Sequence, residues 1–241
     1  MTTTTANPDS TSASRPTVLI TGASRGIGRA VAEELAADHH LVLGGRSLRD
    51  LEELAATFPS AEPFAADLTD SAAAARAAEA LDLPHGLAGL AHSAGILVRG
   101  RIEELTAEDW TRSFTANVTA VADLTRLLLP ALRTARGTVV AINSGSGYNS
   151  GPGGSAYAAS KFALRAVTDA LRAEEREHGV RVSSVHPGRT ATDMQRQLRS
   201  DEGGEYREED YMRPETVAAT VALALRLPAD ANIDELSVRP R

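Results

Sequence analysis

The chain has 241 residues, 42% of them hydrophobic and 24% charged, a globular balance with enough length to bury one large α/β core. Its formal net charge of -7 argues against nonspecific nucleic-acid binding, which needs a basic surface to displace counterions. It contains no cysteine, which excludes disulfides, thiol catalysis and thiolate metal sites, and no apolar run nears the roughly 18 residues of a membrane helix.

The opening stretch, MTTTTANPDSTSASRP, has neither an apolar core nor a run of positive charge, so it does not read as a secretory signal. Its Thr/Ser/Pro content predicts a disordered tail over 1–15, ahead of a single domain at 16–241 in a cytoplasmic protein. Apolar runs then alternate with helical patterns. TVLIT (17–21) reads as a first strand, IGRAVAEELAAD (27–38) as a helix, HLVLGG (40–45) as a second strand and LRDLEELAATF (48–58) as a second helix. AEPFAAD (61–67) is a weaker third strand, and SAAAARAAEAL (71–81) is helical by its alanine content. A fourth strand ends within GLAGLAHSAG (86–95), and one long helix is expected from about Thr106 to Ala135. GTVVAINS (137–144) is a fifth strand, 155–179 a long helix closed by Gly179, and VRVSSVHPG (180–188) a sixth strand. Residues 189–212 are polar and read as an irregular substrate loop. PETVAATVALALRL (214–227) starts a last helix on proline, and NIDELSVRP (232–240) reads as a seventh strand. Strands that are apolar throughout, alternating with helices, imply a doubly wound Rossmann-type parallel sheet with helices on both faces.

TGASRGIG (21–28) joins the first strand to the first helix. Its glycines allow a tight turn, close approach of a ligand and close packing of helix on strand, and the helix N-terminus offers free N–H groups to a pyrophosphate. Alone, the motif is equally a tight strand–helix turn. The second strand ends LGGRS, so Arg46 stands where an NAD site usually has an acid for the ribose hydroxyl, and Arg25 lies within the glycine turn. Two guanidinium groups there can pair with the 2′-phosphate of NADP, with Ser47 adding a hydrogen bond; the other reading is two solvated arginines. Further along, Tyr157 and Lys161 are spaced four apart, on one face of a helix. An ammonium beside a phenol favours the phenolate, which would bring the tyrosine toward acid/base use near neutral pH. Ser144, thirteen residues before Tyr157, can hold a substrate carbonyl against it. By itself the Tyr/Lys pair is also an ordinary helix-surface pair.

Taken together, TGASRGIG, ADLTD (66–70), HSAG (92–95), Asn117 in TANVTA, Ser144, YAASK (157–161) and HPGRTATDM (186–194) are recognisable. The sequence resembles the short-chain dehydrogenase/reductase family from about Thr17 to Pro240. That resemblance implies a seven-stranded α/β domain and an NADP(H)-dependent oxidoreductase acting on a carbonyl/secondary alcohol pair. It implies that Tyr157 is the acid/base, that Lys161 tunes it and binds the nicotinamide ribose, that Ser144 orients the substrate carbonyl, and that Asn117 holds a water relaying protons from Lys161. Cofactor contacts are implied at Gly22, Ser24, Arg25, Gly26, Ile27 and Gly28 of the turn. They are also implied at Asp67 and Leu68 beside the adenine, at Ser93, Ala94 and Gly95 along the ribose, and at Pro187, Gly188, Thr190 and Thr192 at the nicotinamide end. A homodimer or homotetramer packing through 106–135 and 155–178 is implied as well. Two positions depart from the family pattern: HSAG replaces the commoner NNAG, losing at Ser93 an asparagine that braces neighbouring strands, and Thr190 replaces Val or Ile.

The remaining candidates read as structural. The histidines have no metal-ligand spacing, and His92 reads as a strand-end residue. DEGGEYREED (201–210) is a solvated acidic loop, and Thr106 with Asp109 forms an approximate helix-capping box. No metal, nucleic-acid or membrane partner is expected. A second function class stays open: an NADP(H)-binding redox sensor without turnover. An epimerase or dehydratase of the longer related family would need a larger C-terminal region.

Overall fold

The computed structural model describes residues 15–241. The tail expected at 1–15 therefore lies outside the described residues except for Arg15, whose guanidinium donates to the Ala36 carbonyl at 3.1 Å. Seven strands and eight α-helices follow in chain order: β1 Thr17–Thr21, α1 Gly26–Leu35, β2 His40–Gly45, α2 Leu48–Ala55, β3 Ala61–Ala65, α3 Ser71–Glu79, β4 Gly89–His92, α4 Ala107–Phe114, α5 Ala120–Ala135, β5 Thr138–Ile142, α6 Ser155–Glu174, β6 Arg181–Pro187, α7 Asp193–Asp201, α8 Pro214–Arg226 and β7 Glu235–Val238. The strands form one sheet in the order β3-β2-β1-β4-β5-β6-β7, parallel throughout.

Continuous apolar strands follow from burial on both faces. Along β1, Val18 and Ile20 face a core layer with Val31 and Leu35 of α1 and Val217 and Val221 of α8. Leu19, one residue out of phase, faces the opposite layer with Leu124, Leu128 and Leu132 of α5. β3 occupies a sheet edge, which explains how it tolerates Pro63 and why its sequence signal is weak. The order reverses at β1, whose neighbours are β2 and β4, and a crevice opens outside the carboxyl ends of the strands at that point.

Three elements differ from expectation. The single helix expected at 106–135 is broken by a π-helical segment, Thr115–Thr119, between α4 and α5. The loop expected over 189–212 contains a nine-residue helix, α7, and a short 3₁₀ turn at Glu208–Asp210. Its two ends are stitched together, since Ala191 donates to Met212 O at 2.7 Å and Met212 donates to Arg189 O at 3.1 Å. The segment is therefore a closed flap with pinned ends. The fourth strand is regular only over Gly89–His92, a short part of 86–95. The capping box of α4 is complete, with Asp109 N–H donating to the Thr106 hydroxyl and Thr106 N–H donating back to the Asp109 carboxylate. Among the described residues no helix is long and apolar enough to cross a membrane.

Candidate active site

A cleft of about 1100 Å³ lies over the carboxyl ends of the central strands, and most of the residues singled out in the sequence line it. At one end is the turn between β1 and α1. Gly22 has φ 66, and a Cβ there would sit 3.0 Å from the Ala94 main chain, so only glycine lets this turn press against the end of β4. A Cβ on Gly28 would lie 2.3 Å from Gly22 O, which seats the first turn of α1 directly on the loop. Gly28 lies behind the cradle and does not line the cleft, whereas Gly22, Ser24, Arg25, Gly26 and Ile27 do. No side chain caps the N-terminus of α1, so its first N–H groups remain open to an anion. A backbone cradle that a Cβ would fill, a helix N-terminus without a cap, and two arginines at its rim together fit a dinucleotide phosphate.

Those arginines are Arg25 and Arg46. Arg46 lines the cleft and lies near Asp67, whose carboxyl is held below its usual pKa chiefly by hydrogen bonds from the Thr69 hydroxyl and N–H. Arg25 pairs at 3.2 Å with Asp193, at the start of α7. Ser47, expected to reach the cofactor, instead caps α2 by accepting from Asp50 N–H at 3.3 Å, and it does not line the cleft. Leu68, Ser93, Ala94, Gly95, Pro187, Gly188, Thr190 and Thr192 all line it. The brace expected to be missing at Ser93 is supplied from the next strand: the Thr21 hydroxyl accepts from both Ser93 N–H and Ala94 N–H at 3.0 Å.

At mid-cleft, β5 delivers Ser144 and α6 delivers Tyr157 and Lys161 to one wall. Ser144 Oγ accepts from Ser146 N–H at 3.0 Å, which fixes its hydroxyl at the start of a 3₁₀ turn. Lys161 is buried, donates to Ile142 O at 2.9 Å, and has its Nζ 5.7 Å from the centre of the Tyr157 ring. Burial pushes its pKa down to about 8. The same burial pushes the Tyr157 phenol upward, and the Ser144 hydroxyl beside it pulls only partly the other way. The downward shift expected of Tyr157 is thus not met in the free chain, because desolvation outweighs the Ser144 hydrogen bond that opposes it.

Asn117 does not line the cleft. It sits in the π segment, buried, with Oδ1 accepting from Ile96 N–H at 2.9 Å and Nδ2 donating to Ile96 O and to Ser160 Oγ, both at 3.0 Å. Ser160 in turn donates to Tyr157 O at 2.7 Å. Both amide hydrogens are committed, so the side chain acts here as a clamp between the loop after β4 and α6. His92 is a buried strand-end residue, its Nε2 2.8 Å from the Thr125 hydroxyl, and burial lowers its pKa to about 3.

The sequence motifs gave no role to His186, yet it is fully buried against the site. Its Nδ1 is 3.0 Å from Ser144 O and its Nε2 is 2.9 Å from Ser184 Oγ. A carbonyl can only accept, so Nδ1 carries the hydrogen and Nε2 accepts from Ser184. The Tyr148 ring lies 4.4 Å from the imidazole. At the far end of the cleft the expected substrate loop supplies Met194 and Leu198 as apolar wall, beside Arg189 and Glu202, while Ile96, Leu97 and Arg99, after β4, had no assigned role. Arg239, from the last strand's end, donates to His186 O and packs beside Gly145.

Comparison with known proteins bears on this arrangement. A family model described as short chain dehydrogenase matches residues 16–203. The chain is 31% identical over 234 residues to a serine 3-dehydrogenase of Agrobacterium fabrum, covering 93% of each protein. It is 33% identical over 234 residues to a glycine betaine reductase of Emericella nidulans; this alignment takes in 92% of the chain but spans only 18% of that much longer protein. Among solved structures, an alcohol dehydrogenase from the archaeon Thermococcus sibiricus, complexed with 5-hydroxy-NADP, superposes with a TM-score of 0.83 at 26% identity, covering 94% of this chain and 99% of that one.

Proposed function

The chain belongs to the short chain dehydrogenase family, and from that premise we propose that it is an NADP(H)-dependent oxidoreductase interconverting a carbonyl and a secondary alcohol on a small molecule. The observation that carries this reading is the convergence of Ser144, Tyr157 and Lys161 on one cleft wall, in line with a glycine cradle. NADP is favoured over NAD by Arg46 and Arg25 at the cradle's rim, where a 2′-phosphate would meet two guanidinium groups and no carboxylate takes the ribose-binding place at the end of β2. The NADP analogue bound by the Thermococcus enzyme agrees with this choice.

When bound, the nicotinamide supplies or accepts the hydride. The chain's part is position and proton. Ser144 Oγ, fixed by Ser146 N–H, donates to the substrate oxygen and holds it toward Tyr157. The Tyr157 phenol gives its proton to that oxygen in reduction and takes it back in oxidation. Burial keeps the phenol protonated at neutral pH, the form reduction requires. Lys161 stays pinned beside it by Ile142 O and offers its remaining hydrogens to cofactor hydroxyls and to the phenol. Asn117 and Ser160 hold the α6 turn that carries the tyrosine.

The test is a panel of ketones and aldehydes assayed by loss of NADPH absorbance, with Tyr157→Phe measured alongside. Turnover is expected to fall by roughly 10²- to 10⁴-fold in the variant while NADPH binding persists. Full activity without the hydroxyl removes Tyr157 as acid/base, and tight NADPH binding without turnover across the panel favours a sensor.

A further inference from the structure

The cleft opposes the charge of the rest of the molecule. Six cationic side chains line it against three carboxylates, in a chain whose formal net charge is -7. Phosphate groups account for the cationic excess at the cradle end, but not for that at the far end. There Arg99 and Arg189 line the wall with one carboxylate between them, Glu202 at the end of α7. Glu202 is also claimed by Arg199, so three guanidinium groups share one carboxylate: Arg189 at 2.7 and 3.1 Å, Arg199 at 2.6 Å and Arg99 at 3.4 Å. A guanidinium does not shed its proton at any pH the protein meets; Arg189 and Arg199 also lie beside Glu205 and Asp210 within the flap, whereas Arg99 has only the shared Glu202 among the described residues.

Arg99 is the least satisfied of the three. Its side chain is 23% exposed, and its two hydrogen bonds, to Glu202 and to Pro152 O, are both stretched to 3.4 Å. A half-buried guanidinium with five donors and two long contacts retains capacity for a planar, two-oxygen acceptor. The way Arg189 grips Glu202, one nitrogen on each oxygen, shows the group this corner already receives. The walls beside it, Leu97, Met194 and Leu198, suit a short apolar body. On α7, Gln195 also lines the cleft, with an amide nitrogen that is buried and without a partner among the described residues.

We infer that the substrate carries a carboxylate at the end remote from its carbonyl or alcohol, received by Arg99 and Arg189, with Glu202 as the internal anion that occupies this corner when the flap is closed on itself. This rests on the oxidoreductase reading and narrows it to oxo- and hydroxy-acids. Arg99 and Arg189 belong to different segments, the loop after β4 and the base of the flap, so an acid bridging them also draws the flap onto the substrate.

The test measures binding, so that it does not depend on turnover. NADP⁺-loaded protein is titrated calorimetrically, at constant ionic strength, with matched pairs: 3-hydroxybutyrate and 3-hydroxybutyramide, 4-oxopentanoate and 4-oxopentanamide, and glycerol 3-phosphate as a phosphate ester. Acids are expected to bind roughly tenfold or more tighter than their amides. That preference is expected to collapse in Arg99→Gln and in Arg189→Gln, and acid affinity to rise several-fold in Glu202→Gln. A purely structural Glu202 would lower thermal stability on substitution without raising acid affinity. Equal binding of acid and amide, no acid binding, a preference that survives both arginine substitutions, or tighter binding of the phosphate ester each overturns the inference. NADPH affinity and Tyr157-dependent reduction, measured on the same preparations, report separately on the oxidoreductase reading.

Discussion

Lys161 is the only lysine in a chain with 25 Lys and Arg residues; all the rest of that group are arginine. The distinction is chemical. An arginine here would stay charged, whereas a buried ammonium can be driven to titrate near neutrality, and burial takes Lys161 down to about 8 from the 10.5 of a free lysine. Linkage gives the sign. Between the folded and unfolded values the unfolded chain binds more protons, so stability rises with pH through that window and the penalty is fully present below it. Relative to Lys161→Met, the wild type is therefore expected to gain about 2 kcal/mol between pH 7.5 and pH 10, read as diverging urea midpoints. Parallel curves would remove the buried-ammonium account. The four-residue spacing of Tyr157 and Lys161 was legible in the sequence. The direction of the tyrosine's shift was not, because it depends on how deeply β5 and α6 bury both groups. His186 was illegible because its partner Ser144 O comes from the neighbouring β5 side by sheet register, and only then does Ser184 Oγ, two residues back on β6, complete its hydrogen bonding.

At the level of elements, sequence reading placed the strands well and misjudged two helical regions. Apolar strands announce themselves because both faces of the sheet are covered. The stretch 106–135 has continuous helical periodicity, and nothing in TANVT marks the extra residue that a π turn accommodates. Helix α7, DMQRQLRSD, carries only Met194 and Leu198 as apolar residues, four apart on one face, so the stretch is too polar overall to stand out and reads as loop; packing at the cleft, rather than a core stripe, holds it. The π segment has a clear consequence. It turns Asn117 inward to bind both main-chain groups of Ile96 as well as Ser160, joining the loop after β4 to the helix that bears Tyr157. Asn117→Ala would leave the Ile96 N–H and C=O without these partners and remove one from Ser160, at a cost of about 2–4 kcal/mol. Chemical denaturation measures it. A loss below about 1 kcal/mol would mean that water replaces the clamp and that the loop does not depend on it.

Across the whole molecule, the parallel sheet gathers residues from distant parts of the chain at one end of its strands. This is why Arg25, beside β1, can meet Asp193, 168 residues later. That ion pair joins the phosphate cradle to the flap. It is exposed on both sides, 74% and 65%, so it is worth no more than about 1 kcal/mol and a nearby 2′-phosphate can displace it. Arg46 has no carboxylate salt bridge among the described residues and lines the same cleft near Asp67. The two arginines therefore respond in opposite ways to substitution around them. On the proposed NADP(H) reading, Arg46→Ala removes a guanidinium that would meet the extra phosphate alone, and is expected to raise the ratio of NADPH to NADH dissociation constants by roughly tenfold or more. Asp193→Asn removes a competitor for Arg25 and should lower the same ratio by up to about fivefold, the equivalent of 1 kcal/mol. Taking the ratio cancels any general damage to the cradle. Fluorescence titration of both nucleotides against both variants separates the possibilities: a ratio unmoved by Arg46→Ala eliminates the 2′-phosphate site, and one unmoved only by Asp193→Asn leaves Arg46 as its main anchor, with Arg25 serving the flap.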